Sequence, residues 1–377
     1  MVASAMDGLK GVVAAVAAVV CAVCISLATS SNSSSKYNIL TITNVNFDDM
    51  LGDPRYEQWF RDNLRCDQRA FCKIVVWLRR RMPKYSRRRS VHSFEKKVAV
   101  FLYFLGSEGG YRETAGAFGM AKSWCVTVVS TFVNVVSSNA NKWIHFPTDS
   151  RAWHRIERSF YKMQRIPGVV GAVDGTLIDI QRPLDYDGFY NRNGDPSLNV
   201  QAIVDSRMVF MSVDIRPGSF SDKKIWKVSV VGQTIRRLLP TGCFLLGDSG
   251  YTLLPWLLTP FLPHEEGGML TNVQNHFNFR LSSTRMIVEC AFGRLKERFR
   301  ILKTVMNEKS LEQTVAVTTT CFVLHNMLIH FNDGLFSEPC PRRDRNLYFQ
   351  PADPSETETN PLIRKTAVLK RRGIASI

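Results

Sequence analysis

Three acidic residues stand in apolar or glycine-punctuated surroundings: Asp174 in VVGAVDGT, Asp248 in CFLLGDSGY and Glu289 in STRMIVECAFGRLKERF. A carboxylate among apolar neighbours needs a partner, because losing its water penalises the charged form heavily. A hard divalent cation would supply that partner. Oxygen ligands from separate elements can converge on Mg²⁺, and a protein-bound pair of such ions can drive phosphoryl transfer. The chemistry these acids suit is metal-dependent cleavage of nucleic acid.

The rest of the composition fits that substrate. The 377 residues are 45% hydrophobic and 22% charged, enough for one large catalytic domain and a smaller one, and too apolar for a disordered chain. Lys and Arg number 49 against 33 Asp and Glu, a formal charge of +16 that attracts a polyanion before any specific contact forms. The nine cysteines are scattered with no paired-knuckle spacing, so neither a zinc ribbon nor a dense disulfide framework is indicated, and a reducing compartment fits best. One segment points elsewhere. Residues 11–28, GVVAAVAAVVCAVCISLA, are uncharged, follow Lys10 and precede TSSNSSSK, which is the outline of a signal peptide or a marginal membrane span. A membrane-anchored or secreted protein is the alternative this run raises.

The elements that must position the acids follow from periodicity. Residues 1–46 combine the apolar run with a Ser- and Asn-rich linker. Residues 47–150 form a helical region. WFRDNLRCDQRAFCKIVVWLRRRM carries Phe60, Leu64, Phe71, Ile74, Val75 and Leu78 at near-helical spacing, ends at Pro83, and is followed by FEKKVAVFLYFLG. In GGYRETAGAFGMAKSWCVTVVSTFVNVV the pattern predicts a short helix over 111–118, a tight turn at Gly119 and a longer helix over 121–136, the outline of a helix-turn-helix. On that reading Lys122, Ser123, Trp124 and Thr127 face DNA; the alternative is a plain helical bundle. The run LRRRMPKYSRRRS, with Arg87, Arg88 and Arg89 at its end, suits phosphate contact or a solvated face.

From Pro167 the period changes, within a domain placed at 151–335. GVVGAVDGTLIDIQ and NVQAIVDSRMVFMSVDI alternate and are β-branched, with Asp205-Ser206-Arg207 as a hairpin turn. A helical stretch over 222–239 precedes CFLLGD, a short strand that places Asp248 at its carboxyl end, the usual ligand position in open α/β sheets. Residues 282–299 and 311–330 complete a mixed α/β domain with two long helices. In the first of these Glu289 sits one position off the stripe of Val288, Phe292, Leu295 and Phe299, at the margin of the core. The same helix offers Arg294 and Lys296 to a phosphate backbone, and Arg285 offers Glu289 an ordinary i,i−4 ion pair as the bland alternative. Residues 336–377, with PADPSETETNP and KRR, are expected to be a disordered basic tail.

Seven motifs in order, VDGT, YNRNGDPSLNVQAIVD, PGSFSD, LLGDSGY, WLLTPF, VECAFGRLKERFRIL and VLHN, resemble the catalytic domain of the PIF/Harbinger transposases and the nucleases derived from them. The helical region from about Tyr56 is similar to the segment preceding that domain in the family. The resemblance implies an RNase H-like catalytic domain preceded by an all-α, helix-turn-helix-like domain. It implies that the family's catalytic and metal-binding acids fall on Asp174, Asp248 and Glu289, with Asp174 bridging. It also implies two Mg²⁺ or Mn²⁺ ions, roughly 3.5–4 Å apart in such sites, hydrolysis or transfer of DNA phosphodiesters, work in the nucleus and a separate Myb-like partner protein. A domesticated protein that grips DNA without cutting it is the alternative, against which the three intact acids count. Asp222, in PGSFSD, also matches a family motif and could cap the following helix or assist the site, and capping is the expectation. Asp179 is expected to face solvent, His325 to be a hydrogen-bonded core residue, and His264-Glu265-Glu266 to form no metal site.

Overall fold

The computed structural model describes residues 47–183, 187–336 and 360–377. The apolar run at 11–28 therefore lies outside the described residues. Among the described ones no single helix is long and apolar enough to cross a membrane.

After short helical segments between Phe47 and Leu64, the first long helix is α1 (Gln68–Arg81), opened by Asp67, whose carboxylate accepts from the Ala70 N–H. The single long helix expected from Trp59 is interrupted: Arg65 adopts φ 57°, and Asp67 then restarts the chain. Next come α2 (Phe94–Gly106), α3 (Gly110–Ala117) and α4 (Lys122–Ser137). Gly119, at φ 65°, ends α3 in a reversed turn: the Met120 N–H reaches the Ala115 carbonyl and the Gly119 N–H reaches that of Gly116. The turn sets α3 and α4 at 106°. α4 buries Cys125, Val128, Val129, Phe132, Val133 and Val136, one stripe at helical spacing, and leaves its N-terminal turn exposed.

A helix not anticipated from the periodicity, α5 (Ser150–Gln164), leads into the sheet; Asp149 caps it and it buries only Trp153 and Phe160. The sheet strands are β1 (Val169–Asp179), β2 (Ser197–Val204), β3 (Phe210–Pro217), β4 (Phe244–Leu246) and β5 (Leu257–Leu258). Their spatial order is β3-β2-β1-β4-β5. β1, β2 and β3 pair antiparallel, whereas β4 runs parallel to β1 and β5 to β4. The turn expected at Asp205-Ser206-Arg207 is present, with the Asp205 carboxylate accepting from the Arg207 and Val209 N–H groups.

The stretch expected as one helix over 222–239 is two, α6 (Asp222–Val228) and α7 (Val230–Leu238). Ser229 between them is extended, and its hydroxyl caps α7 by accepting from the Gly232 N–H. These two helices and Trp153 of α5 cover one face of the sheet, against Val170, Val173, Ile203 and Leu245. The other face, with Val169, Ala172, Val200, Ala202 and Leu246, joins a core shared with α8 (Asn272–Arg298), α9 (Leu311–His330) and the N-terminal helices. α8 begins well before Ser282, because Thr271 and Gln274 form a reciprocal capping box.

The tail also differs from expectation. Residues 361–375 form a helix, α10, that docks on the sheet domain instead of lying in a disordered segment. Arg371 is 1% exposed, sits over the Phe261 ring and donates to the Pro260 carbonyl, with Glu266 beside it.

The sheet and the helical region are joined by α9. Asn326 donates to the carbonyls of Trp143 and Phe210 and accepts from the Phe210 N–H. His325 beside it is buried and donates from Nε2 to the Met208 carbonyl, and burial holds its pKa down at about 3, so it is neutral. Both are structural residues, as expected for the histidine. Asn326→Ala removes three buried hydrogen bonds and should cost about 2–4 kcal/mol, read as a lower urea midpoint at unchanged slope.

Candidate metal centre

The parallel pairing of β1 with β4 sets Val169 beside Phe244 and Ala172 beside Leu246. Continued by one pleat, the same register brings Asp174 beside Asp248 on one face. Asp248 lies just past the end of β4, where its Oδ1 accepts from the Gly250 N–H at 2.9 Å and folds the chain back. Asp174 is inside β1, with Oδ1 accepting from the Gly175 N–H at 2.9 Å.

A third carboxylate joins them. Asp174, Asp222 and Asp248 each offer an oxygen, and these oxygens all lie within 4.8 Å of one another. The capping expected of Asp222 is performed by its neighbour: the Ser221 hydroxyl accepts from the Lys224 N–H at 3.3 Å, and Asp222 is the first residue inside α6. Glu289 enters the centre through a cation. Arg285, one turn earlier on α8, donates from Nη1 to Asp174 at 2.6 Å and from Nη2 to Glu289 at 2.8 Å. The bland i,i−4 pair is therefore present, and it also reaches across to the sheet.

Burial sets the electrostatics. The Asp174 carboxyl is pushed up to about 7, chiefly by loss of water, with Arg285 opposing and Asp248 and Asp222 adding repulsion. Asp222 rises to about 6, again through burial first and then the charge of Asp248, against a hydrogen bond from Asn199. Carboxylates this close cannot all ionise without a countercharge. The donor set, hard oxygens from separate elements with no sulfur or imidazole, fits Mg²⁺ or Mn²⁺.

The residues considered for nucleic-acid contact are scattered over two regions. Arg87, Arg88 and Arg89 are exposed in the loop before α2, and Lys122, Ser123 and Thr127 are exposed at the start of α4. The His92 ring meets Trp124 at 4.7 Å, which brings that loop beside α4 and turns Trp124 onto the protein. Arg294 is partly buried, and Lys296 donates to the Leu177 carbonyl at 2.7 Å, tying α8 to β1. Glu265 and Glu266 pair with arginines of α10, and Asp179 is exposed.

The region that carries these acids is similar in sequence to known proteins. Residues 173–326 match the family described as DDE superfamily endonuclease. The chain is 28% identical over 270 residues to a Rattus norvegicus protein named "Putative nuclease HARBI1", covering 71% of this chain and 76% of the relative. The Mus musculus protein of the same name is 29% identical over 272 residues, with 71% and 76% covered. "Protein ALP1-like" of Arabidopsis thaliana is 30% identical over 262 residues, covering 64% of this chain and 62% of the relative. No solved structure matches.

The raised acids carry a pH signature. In the folded, metal-free protein Asp174 and Asp222 keep protons that the unfolded chain, with its ordinary carboxyl pKa of 3.8, has already lost. Their contribution favours folding below that value and is lost as pH rises through about 6 and 7. Melting temperatures in EDTA should therefore fall with pH more steeply for the wild type than for Asp174→Asn. Stabilisation by Mg²⁺ should grow over the same window in the wild type alone.

Proposed function

We propose, from the premise that this chain belongs with the Harbinger-type DDE superfamily endonucleases, that it is a metal-dependent DNA endonuclease working through Asp174, Asp248 and Glu289. The convergence of half-buried carboxylates from β1, the end of β4 and α6 supports the reading most directly. The sheet order and the mix of antiparallel and parallel pairs support an RNase H-like assignment of the domain. Divalent ions bound there would lower the pKa of a water or hydroxyl nucleophile and stabilise the departing oxygen of a phosphodiester.

The chain's own residues prepare that chemistry. Asp174 and Asp248 supply ligand oxygens fixed by strand register and by the backbone N–H groups they accept from. Arg285 balances Asp174 and Glu289 and holds the glutamate at the rim of the centre. Glu289 retains 36% of its side-chain exposure, so it faces the side from which a phosphate backbone would arrive.

DNA would be gripped away from the acids by α3 and α4 in a helix-turn-helix arrangement. Their 106° angle, the Gly119 turn and the exposed Lys122, Ser123 and Thr127 support it, with Arg87, Arg88 and Arg89 alongside. The formal charge of +16 supports a polyanionic substrate.

Two outcomes are expected. Asp174→Asn and Asp248→Asn should each lower Mg²⁺-dependent nicking of supercoiled DNA by more than about a hundredfold, as should Glu289→Gln, with melting temperatures maintained. Full activity in any one of them removes that residue from the reaction. Replacing Arg87, Arg88 and Arg89 by Ala should weaken DNA binding across sequences and flatten its salt dependence by about one slope unit per lost phosphate contact. Binding that persists unchanged would place the DNA elsewhere.

A further inference from the structure

We infer that Asp222 is a third carboxylate ligand of the divalent-cation centre, held for that purpose beside Asp174 and Asp248. The inference rests on the metal-dependent reading above and extends it to a residue whose local sequence favours a helix cap.

Ser221 already caps α6, so the Asp222 carboxylate is not needed there. It turns instead toward the other two acids, with one oxygen within 4.8 Å of an oxygen from each. Two oxygens bound about 2.1 Å from a Mg²⁺ ion stand at most about 4.2 Å apart. The three side chains therefore need only small shifts to share one ion.

The backbone is shaped to admit that carboxylate. A Cβ on Gly175 would lie 2.3 Å from Asp222 Oδ1 and 3.1 Å from Asn199 Oδ1. Gly175 lies in β1 with no positive φ, so the close approach, not backbone freedom, accounts for a glycine at this position. The Gly of VDGT and the Asp of PGSFSD are thus one device made from two distant motifs.

A second observation, independent of the acids, points to a ligand. Asn199 and Gln201 on β2 are 8% and 1% exposed. Their amide nitrogens are committed: Asn199 donates to the Phe220 carbonyl and to Asp222 Oδ1, and Gln201 donates to the Asp222 carbonyl and the Tyr251 hydroxyl. Their oxygens, Asn199 Oδ1 and Gln201 Oε1, are buried without a donor among the described residues. Buried acceptors are seldom left so. Asn199 Oδ1 flanks the space Asp222 occupies beside Gly175, where water carried on a cation would donate to it.

The test is direct Mn²⁺ binding by the full-length protein, with free Mn²⁺ read by electron paramagnetic resonance, in the wild type and in Asp174→Asn, Asp222→Asn, Gly175→Ala and Ser221→Ala. We expect Asp222→Asn and Asp174→Asn each to weaken Mn²⁺ affinity at least about tenfold. Gly175→Ala should weaken it with every acid retained, and Ser221→Ala should leave it within twofold while lowering the melting temperature. Wild-type affinity in Asp222→Asn beside loss in Asp174→Asn overturns the inference and leaves the nuclease reading intact. Should Asp222→Asn fail to fold, wild-type affinity in Gly175→Ala overturns it instead. Wild-type affinity in Asp174→Asn contradicts the metal reading itself, and this inference with it.

Discussion

Like charge crowded into a half-buried site is the constraint on which the rest of this structure depends. Three aspartates from β1, α6 and the end of β4 bring oxygens within 4.8 Å of one another, and their mutual repulsion must be met by the scaffold. It is met from two sides. The backbone amides of Gly175 and Gly250 each donate to an acid, and Arg285 bridges Asp174 to Glu289. Arg285 is shared between two of these carboxylates and the charge of Arg192 reaches Asp222, so a bound cation would add to a balance the chain has begun.

Rigidity around the centre comes from buried polar contacts that fasten each layer to the sheet. Asn326 of α9 grips the start of β3 and the Trp143 carbonyl together. Arg280 of α8 donates to the Gln164 carbonyl at the end of α5 and to that of Arg165 just past it, so the helix carrying Glu289 is pinned shortly before Arg285. Lys296 fastens the far end of the same helix to the Leu177 carbonyl. α10 closes the opposite edge, with Arg371 over Phe261. Such fastening keeps ligand oxygens in place better than loops would.

Much of this was legible because it is written in short-range signals. Asp174 and Asp248 stand in motifs whose β-branched runs announce the strands, and the Gly119 turn with the stripe of α4 announces the crossing of α3 and α4. For Asp222 the cap is favoured for a local reason: Ser221 and Asp222 are adjacent and both suit a helix start, and the chain does not tell which of them takes the role. Only the tertiary approach to Gly175 separates the two possibilities. The early start of α8 was available in the pairing of Thr271 with Gln274, a signal hidden by the low apolar content of the first turns. α5 escaped because it buries only two large side chains, and α10 because a buried arginine, with its ring and carbonyl partners, looks like any other basic residue in a tail.

The central claim, that these acids form one divalent-cation centre, is most directly tested by diffraction from crystals of the protein equilibrated with Mn²⁺ at neutral pH, using its anomalous scattering. The account predicts an anomalous peak in contact with oxygens of both Asp174 and Asp248, absent from crystals of Asp174→Asn. Ordered carboxylates with no peak between them, or a peak seated on other side chains, would contradict it.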